Sequence, residues 1–313
     1  MKALVTGGGG FLGSRLARAL KAKHPAAHIT LLDVAFPPGL DGFTRVQGDM
    51  ADPAVLASAL QRDTTSVFHL AAIVSGAAEA DFDLGYRVNF DGTRALLEAC
   101  RALAAPPKIV YASSVAAFGG TLPEVLDDST TPTPQTSYGT QKVIGEYLLA
   151  DWTRKGMADG RSLRLPTIVV RPGKPNLAAS SFASGIIREP LSGVQAQCPV
   201  PESTGVWMLS PKRVVEAFLH AHELPASAWP TSRVVNLPGI TLTVREMIEA
   251  MGRVAGEDAA ARVKFVPDAR IQSIVKTWPV RFRTERANAM GFRADPDFDT
   301  VVRDYLESER VAV

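Results

Sequence analysis

Tyr138 and Lys142 stand four residues apart in the run Ser137-Tyr138-Gly139-Thr140-Gln141-Lys142, just after the helix-breaking Pro134. On a helix that spacing puts both side chains on one face. A free phenol has a pKa of about 10, and a neighbouring ammonium favours its phenolate, so the pair has the makings of a proton-transfer group that works near neutral pH. Ser113 and Ser114 end the apolar, β-branched run Ile109 to Ala112, and a hydroxyl there can donate to the oxygen that reacts with Tyr138. Ser114 is the preferred donor. A Tyr-x-x-x-Lys spacing alone carries little weight, because helices present such pairs by chance on solvated faces; its meaning depends on what else the chain supplies.

A dinucleotide cradle is what the N-terminus supplies. The stretch Thr6-Gly7-Gly8-Gly9-Gly10-Phe11-Leu12-Gly13 follows the strand-like Ala3 to Thr6 and opens the helical run Phe11 to Lys23. In that context Gly7 and Gly10 allow a tight turn and close approach to a pyrophosphate, and Gly13 allows helix and strand to pack closely. Phe11 and Leu12 lie at a helix N-terminus, where N–H groups and the dipole favour an anion. Asp33, twenty residues beyond Gly13, ends the next strand, where a carboxylate accepts from both ribose hydroxyls and repels a 2′-phosphate; this favours NAD over NADP. Asp49 and Met50, after the third strand, are placed to border the adenine. His69-Leu70-Ala71-Ala72 ends the fourth strand with small residues that admit a cofactor, His69 itself reading as a structural strand-end residue.

The elements that must position these groups alternate along the first half. Strands at Ala3 to Thr6, Ile29 to Asp33, Val67 to Leu70, Ile109 to Ala112 and Leu165 to Val170 are interleaved with helices such as Phe11 to Lys23, Val55 to Leu60 and Asn89 to Leu103. Alternation of this kind implies right-handed βαβ crossovers and a buried parallel sheet. The predicted fold is α/β, a Rossmann-type doubly wound parallel sheet with a smaller C-terminal substrate-binding lid domain. The pattern breaks at Arg171-Pro172-Gly173-Lys174-Pro175. Residues 1–171 are read as the cofactor domain, with 211–240 packing back onto it, and 172–210 with 241–313 as the lid over the carboxyl ends of the sheet. In the second part, helices are expected at Pro211 to His222, Val244 to Val254 and Phe298 to Glu307, and a strand at Arg233 to Leu237.

Bulk properties exclude several classes. The chain has 313 residues, 46% of them hydrophobic, enough for a sizeable core. A formal net charge of +2 gives no basic stripe for nucleic acid. Two cysteines, Cys100 and Cys198, are not spaced as metal ligands and read as reduced thiols. The apolar stretches are too short to cross a bilayer, and the glycine cluster follows Met1-Lys2-Ala3-Leu4-Val5 without room for a leader, so a soluble cytoplasmic protein is expected.

Taken together, the fingerprint, His69 to Ala72, Val88-Asn89-Phe90-Asp91-Gly92-Thr93, Ala112-Ser113-Ser114 with Phe118-Gly119, and Tyr138 with Lys142 resemble an extended short-chain dehydrogenase/reductase over nearly the whole length. The resemblance implies catalytic Ser114, Tyr138 and Lys142, with Lys142 also holding the nicotinamide ribose. It further implies Asn89 on the cofactor side, Pro172 against the nicotinamide end, and a homodimer packed through the Asn89 and Tyr138 helices. A narrower similarity, to the D-erythronate dehydrogenases, rests on Ser75 to Asp83, Arg171 to Asn176 and Ser180 to Pro190. It implies NAD-dependent oxidation of the C2 hydroxyl of a short sugar acid. Ser75, Asn176 and the cations Lys174 and Arg188 are then the candidate substrate contacts, alongside Ser114 and Tyr138, with Arg233 and Arg281 as further cations in the lid half. Nucleotide-sugar epimerases share the cofactor half, but they place asparagine where this chain has Lys174 and a cation where it has Gly205-Val206-Trp207-Met208. A non-catalytic dinucleotide sensor would not need Ser114, Tyr138 and Lys142 together.

Overall fold

The computed structural model describes residues 1–173, 178–230 and 232–310. Backbone contacts divide them into two compact units: residues 1–117, 134–164 and 215–236 form one, and residues 118–133, 165–214 and 237–313 the other.

The first unit is built on six strands, β1 (Lys2–Thr6), β2 (His28–Asp33), β3 (Thr44–Gln47), β4 (Ser66–His69), β5 (Lys108–Ser114) and β6 (Asp159–Leu165), joined by the short strand Val234–Asn236. All pair in parallel, in the order Val234–Asn236, β6, β5, β4, β1, β2, β3. Chain direction across the sheet therefore reverses between β1 and β4, and in open α/β sheets a crevice for ligands forms at the carboxyl ends on either side of such a reversal. Because parallel strands are covered on both faces, β1, β2 and β4 are almost wholly buried and correspondingly apolar. The helices α1 (Phe11–Lys23), α2 (Pro53–Ala59), α3 (Gly92–Cys100) and α4 (Ser137–Arg154) lie in this unit. Leu4, Val67, Ile109, Leu56, Leu96, Leu97 and Leu149 form one of its cores.

Two local features differ from the expectation. The sixth strand is Asp159–Leu165, not Leu165 to Val170, and Thr167–Ile168 pairs instead with Gly205–Leu209 in the second unit. Charge hid this strand in the sequence: Arg161 and Arg164 lie in it, yet they are 0% and 9% exposed, each held by a carboxylate, Asp159 and Glu146 respectively. The helix expected from Asn89 starts earlier, as a π-helical turn over Tyr86–Asp91 that runs into α3.

The second unit has a three-stranded sheet ordered Ile240–Thr243, Gly205–Leu209, Thr167–Ile168, and a ribbon of Ala196–Cys198 with Val263–Phe265. Helices Ser181–Leu191, Val244–Ala255 and Phe298–Arg310 enclose a separate core around Ile186, Ile187, Met247, Met251 and Val302. Thr243 and Glu246 form a reciprocal capping box at the start of Val244–Ala255. Among the described residues no helix is long and apolar enough to cross a membrane, and no cluster of three or more potential metal ligands occurs.

Candidate active site

The glycine turn after β1 is shaped by two close approaches. Gly7 has φ +70°, a conformation natural to glycine, and a Cβ there would lie 2.8 Å from the Ala71 nitrogen. A Cβ on Gly13 would lie 2.0 Å from the Gly7 carbonyl oxygen, so the first turn of α1 rests directly on the loop. Gly10 caps α1 without a side-chain hydrogen bond, and no acidic residue occupies the first turn, which suits an anion at Phe11 and Leu12. The Asp33 carboxylate closes the turn from β2: Oδ2 accepts from Gly9 N at 3.0 Å and Oδ1 from Val34 N at 2.7 Å. Each oxygen keeps lone-pair capacity for a ribose hydroxyl. These features fit the pyrophosphate and ribose of a dinucleotide.

After β3, Asp49 accepts from Ala51 N at 2.9 Å and pairs with Arg87. Partial burial opposes ionisation of Asp49, but these two partners outweigh it and hold the carboxyl below its ordinary range. Met50 is buried in the core. Leu70, Ala71 and Ala72 follow β4, tied by Leu70 N to Thr6 O at 3.2 Å and Ala71 N to Thr6 Oγ1 at 3.3 Å. Ser75, half-buried, opens the short helix Ser75–Ala80.

A buried chain of hydrogen bonds spans the sheet reversal. Thr93 Oγ1 donates to Asn89 O at 2.6 Å, so toward His69 Nε2, 2.9 Å away, it can only accept. His69 therefore carries its proton on Nε2, and Nδ1 accepts from Thr6 Oγ1 at 2.7 Å. Complete burial, reinforced by the Lys142 charge, pulls its pKa down to about 3, so the ring is neutral. Asn89 is likewise engaged: Nδ2 donates to Ile73 O at 3.0 Å and Gln141 Oε1 at 2.7 Å, while Oδ1 accepts from Ile73 N at 2.8 Å. It ties the segment after β4 to the helix carrying Tyr138.

That helix, α4, begins at Thr136, whose hydroxyl accepts from Gly139 N at 3.1 Å. Two glycines let it press against β5 and the segment that follows. A Cβ on Gly139 would sit 2.1 Å from the Ala116 carbonyl oxygen, and one on Gly145 would sit 2.5 Å from the Tyr111 hydroxyl. The first contact sets the Tyr138 end of the helix beside the Ser114 turn, where Ser114 Oγ accepts from Ala116 N at 3.1 Å. Ser113 and Ser114 divide as alternate strand residues must. Ser113 is 2% exposed and donates to Glu146 Oε1 at 2.5 Å, while Ser114 is half-buried. Tyr138 is also half-buried, and Lys142 is buried with Nζ 5.5 Å from the Tyr138 ring centroid and 5.0 Å from that of Tyr111. Burial lowers the Lys142 pKa to about 7 against the opposing pull of Glu146.

The first unit thus brings together the glycine turn, Asp33, the β4 end, Ser114, Tyr138 and Lys142. In the second unit, Arg188 sits on Ser181–Leu191 with Nη1 donating to Arg171 O at 2.8 Å and Nη2 to Glu189 Oε1 at 2.5 Å. Pro172 is among the described residues, whereas Lys174 and Asn176 lie outside them. Sequence reasoning missed Glu146, Arg164, Thr93 and Gln141. Glu146 had a local signal in its i, i+4 spacing from Lys142, and Thr93 and Gln141 stood inside the Val88 to Thr93 and Ser137 to Lys142 motifs without a role, whereas Arg164 had none.

Comparison with known proteins agrees with this geometry. Residues 3–232 match the NAD dependent epimerase/dehydratase family. The chain is 55% identical to a D-erythronate dehydrogenase of Cupriavidus necator over all of both chains, and 45% identical to one of Haemophilus influenzae over 98% of this chain and 99% of that one. A solved structure described as a nucleoside-diphosphate-sugar epimerase from Agrobacterium tumefaciens is 39% identical, with a TM-score of 0.93 over 100% of this chain and 95% of that one. A glycine turn that fits a dinucleotide, Ser114 at the end of β5 with Tyr138 and Lys142 on the helix packed beside it, and relatives matching over the whole chain lead to one assignment: the chain belongs to the NAD dependent epimerase/dehydratase family, within the extended short-chain dehydrogenases/reductases.

Proposed function

We propose that the protein is an NAD-dependent dehydrogenase that oxidises the C2 hydroxyl of a short sugar acid, D-erythronate, to the 2-oxo acid. The observation that carries the substrate is the 55% identity, over all of both chains, to a curated D-erythronate dehydrogenase. Gly7, Gly10, Phe11, Leu12 and Gly13 hold the pyrophosphate and Asp33 the adenosine ribose. Asp49 and Met50 border the adenine. Leu70, Ala71, Ala72 and Asn89 line the path to the nicotinamide, with Lys142, Tyr138 and Pro172 at its reactive end. Asn89 acts there through the Ile73 backbone, since both its amide hydrogens are already donated. NAD, when bound, supplies the acceptor for the C2 hydride. Tyr138 as phenolate takes the hydroxyl proton as the C–H bond breaks, and Ser114 donates a hydrogen bond to the same oxygen. The Lys142 ammonium favours the phenolate. Ser75 and Asn176 are assigned to substrate hydroxyls, and Lys174 and Arg188 to the carboxylate. For Arg188 this means sharing a guanidinium that already serves Arg171 O and Glu189. The same reading makes residues 172–210 and 241–313 a substrate lid, and the protein a cytoplasmic homodimer.

The test is NADH absorbance with NAD and, separately, D-erythronate, L-threonate, other short sugar acids and threonine. Steady NADH production from D-erythronate, abolished in Tyr138→Phe, is expected; silence with every acid defeats the proposal. The Agrobacterium similarity favours one rival, a nucleotide-sugar epimerase. That enzyme would interconvert a sugar nucleotide without releasing NADH.

A further inference from the structure

One turn beyond Lys142 on α4 lies a second buried ionisable residue, Glu146, 3% exposed. Its carboxylate is gripped from the neighbouring strands. Arg164 on β6 donates from Nε to Oε1 at 2.8 Å and from Nη2 to Oε2 at 2.7 Å, and Ser113 on β5 adds its hydroxyl to Oε1 at 2.5 Å. Arg164 is itself steadied by Nη1 donating to Asn236 Oδ1 at 3.4 Å. A carboxylate with a two-pronged guanidinium and a hydroxyl donor is fixed in place on both oxygens. The grip is far more elaborate than a helix needs for packing, and it fixes a negative charge on the same helix face as Lys142.

We infer that Glu146 is a positioning residue for the dehydrogenase reaction: clamped by Arg164 and Ser113, its fixed negative charge keeps the buried Lys142 ammonium protonated, and through Lys142 keeps Tyr138 able to act as a base. The groups facing Lys142 show why it needs such help. From β5 comes the Tyr111 ring, whose buried hydroxyl is held as neutral phenol well above its usual pKa, first by desolvation and then by Tyr138 and Glu146. From β4 comes His69, neutral, and from α4 itself the Tyr138 ring. Tyr111 and His69 bring no negative charge, and Tyr138 is the group that Lys142 serves. Burial alone drives a lysine toward the neutral amine, and Glu146 is the acid that opposes this. Residues i and i+4 are neighbours on one helix face, about 5–6 Å apart at Cβ, so the Glu146 carboxylate supports the ammonium one turn away. Tyr138 is eight residues from Glu146, about 12 Å along the axis, where the paired Arg164 charge offsets the carboxylate; the influence on Tyr138 runs through Lys142.

The inference rests on Tyr138 being the base, and the experiment separates the two. The kcat/KM for NAD-dependent oxidation is measured against pH in wild type, Tyr138→Phe, Glu146→Gln and the double variant Glu146→Gln/Arg164→Met. The double variant removes both charges together, avoids stranding Arg164 and stays usable if Glu146→Gln alone does not fold. The acid limb is expected to move to higher pH by about one unit or more in the double variant, with the rate recovering toward wild type above it. A double-variant limb that overlays wild type, or a limb displaced only in the single variant, overturns the inference, because the pair would then be structural. If instead Tyr138→Phe keeps its activity, the base assignment fails, and with it the premise.

Discussion

Gly139→Ala is the sharpest perturbation of the proposed catalytic geometry. In an ordinary helix the change gains about 0.5–1 kcal/mol. Here the new Cβ would stand 2.1 Å from the Ala116 carbonyl oxygen and 3.0 Å from its carbon, backbone atoms that cannot rotate away. Real Cβ atoms essentially never come within 3.0 Å, so the start of α4 must retreat from the Ser114 turn by about 1 Å. Overpacking of this kind costs about 1–3 kcal/mol, which leaves the variant up to about 2.5 kcal/mol less stable after the helix gain. The larger effect is on rate. A shift of about 1 Å between Tyr138 and Ser114 should lower kcat about 100-fold. NAD binding, which also draws on the glycine turn and Asp33 away from α4, should weaken by a smaller factor than kcat falls. Urea unfolding, NAD titration by fluorescence and steady-state NADH formation measure the three quantities. Gly42→Ala, where a Cβ meets nothing within 4 Å, is the control and should be silent in all three. A Gly139→Ala enzyme with wild-type kcat and stability would refute the claim that this contact sets the reacting groups.

Two further outcomes are expected. Asp33→Asn removes the charge that repels a 2′-phosphate while leaving an oxygen for Gly9 N, so the NAD to NADP ratio of kcat/KM should fall at least about tenfold, or about 1.4 kcal/mol; an unchanged ratio would remove Asp33 from cofactor selection. His69 and His222, with pKa values lowered by burial to about 3 and about 4, fold as neutral rings. Their contribution to stability is fully present above the unfolded value of 6.5 and is lost as pH falls toward those lower values. Each should add a slope approaching about 1.4 kcal/mol per pH unit over that interval. Urea midpoints from pH 7 to 4.5 test this, and a His69→Gln variant should show a shallower decline; equal slopes would show that His69 is not held neutral.

What was legible in the sequence is what lies within one element or one turn. The glycine fingerprint between β1 and α1, Asp33 at the end of β2, and the Tyr138–Lys142 spacing are local patterns whose geometry follows from backbone rules. The α/β class followed too, because alternating strand and helix periods leave few topologies. Charge patterns misled where tertiary partners cancel them. Asp159–Leu165 looks too polar for a buried strand until Glu146, 18 residues before Arg164, is brought across to neutralise it. The π-helical turn at Tyr86–Asp91 has no periodic signature distinct from an α-helix, and it places Asn89 where Ile73 and Gln141 meet.

The sequence by itself therefore determined the chemical inventory of the site: a dinucleotide turn, a ribose-binding carboxylate and a tyrosine with its lysine. Only the tertiary structure decided which state each group occupies. The tautomer of His69 follows from Thr6 on β1 and Thr93 on α3. Ser114 is separated from Ser113 by the pleat of β5, whose other face delivers Ser113 to Glu146. The charge beside Lys142 is fixed by an arginine from another strand. Residue types and short spacings are properties of the chain, whereas protonation, tautomer and burial depend on atoms that sequence separation keeps far apart and folding brings within hydrogen-bond distance.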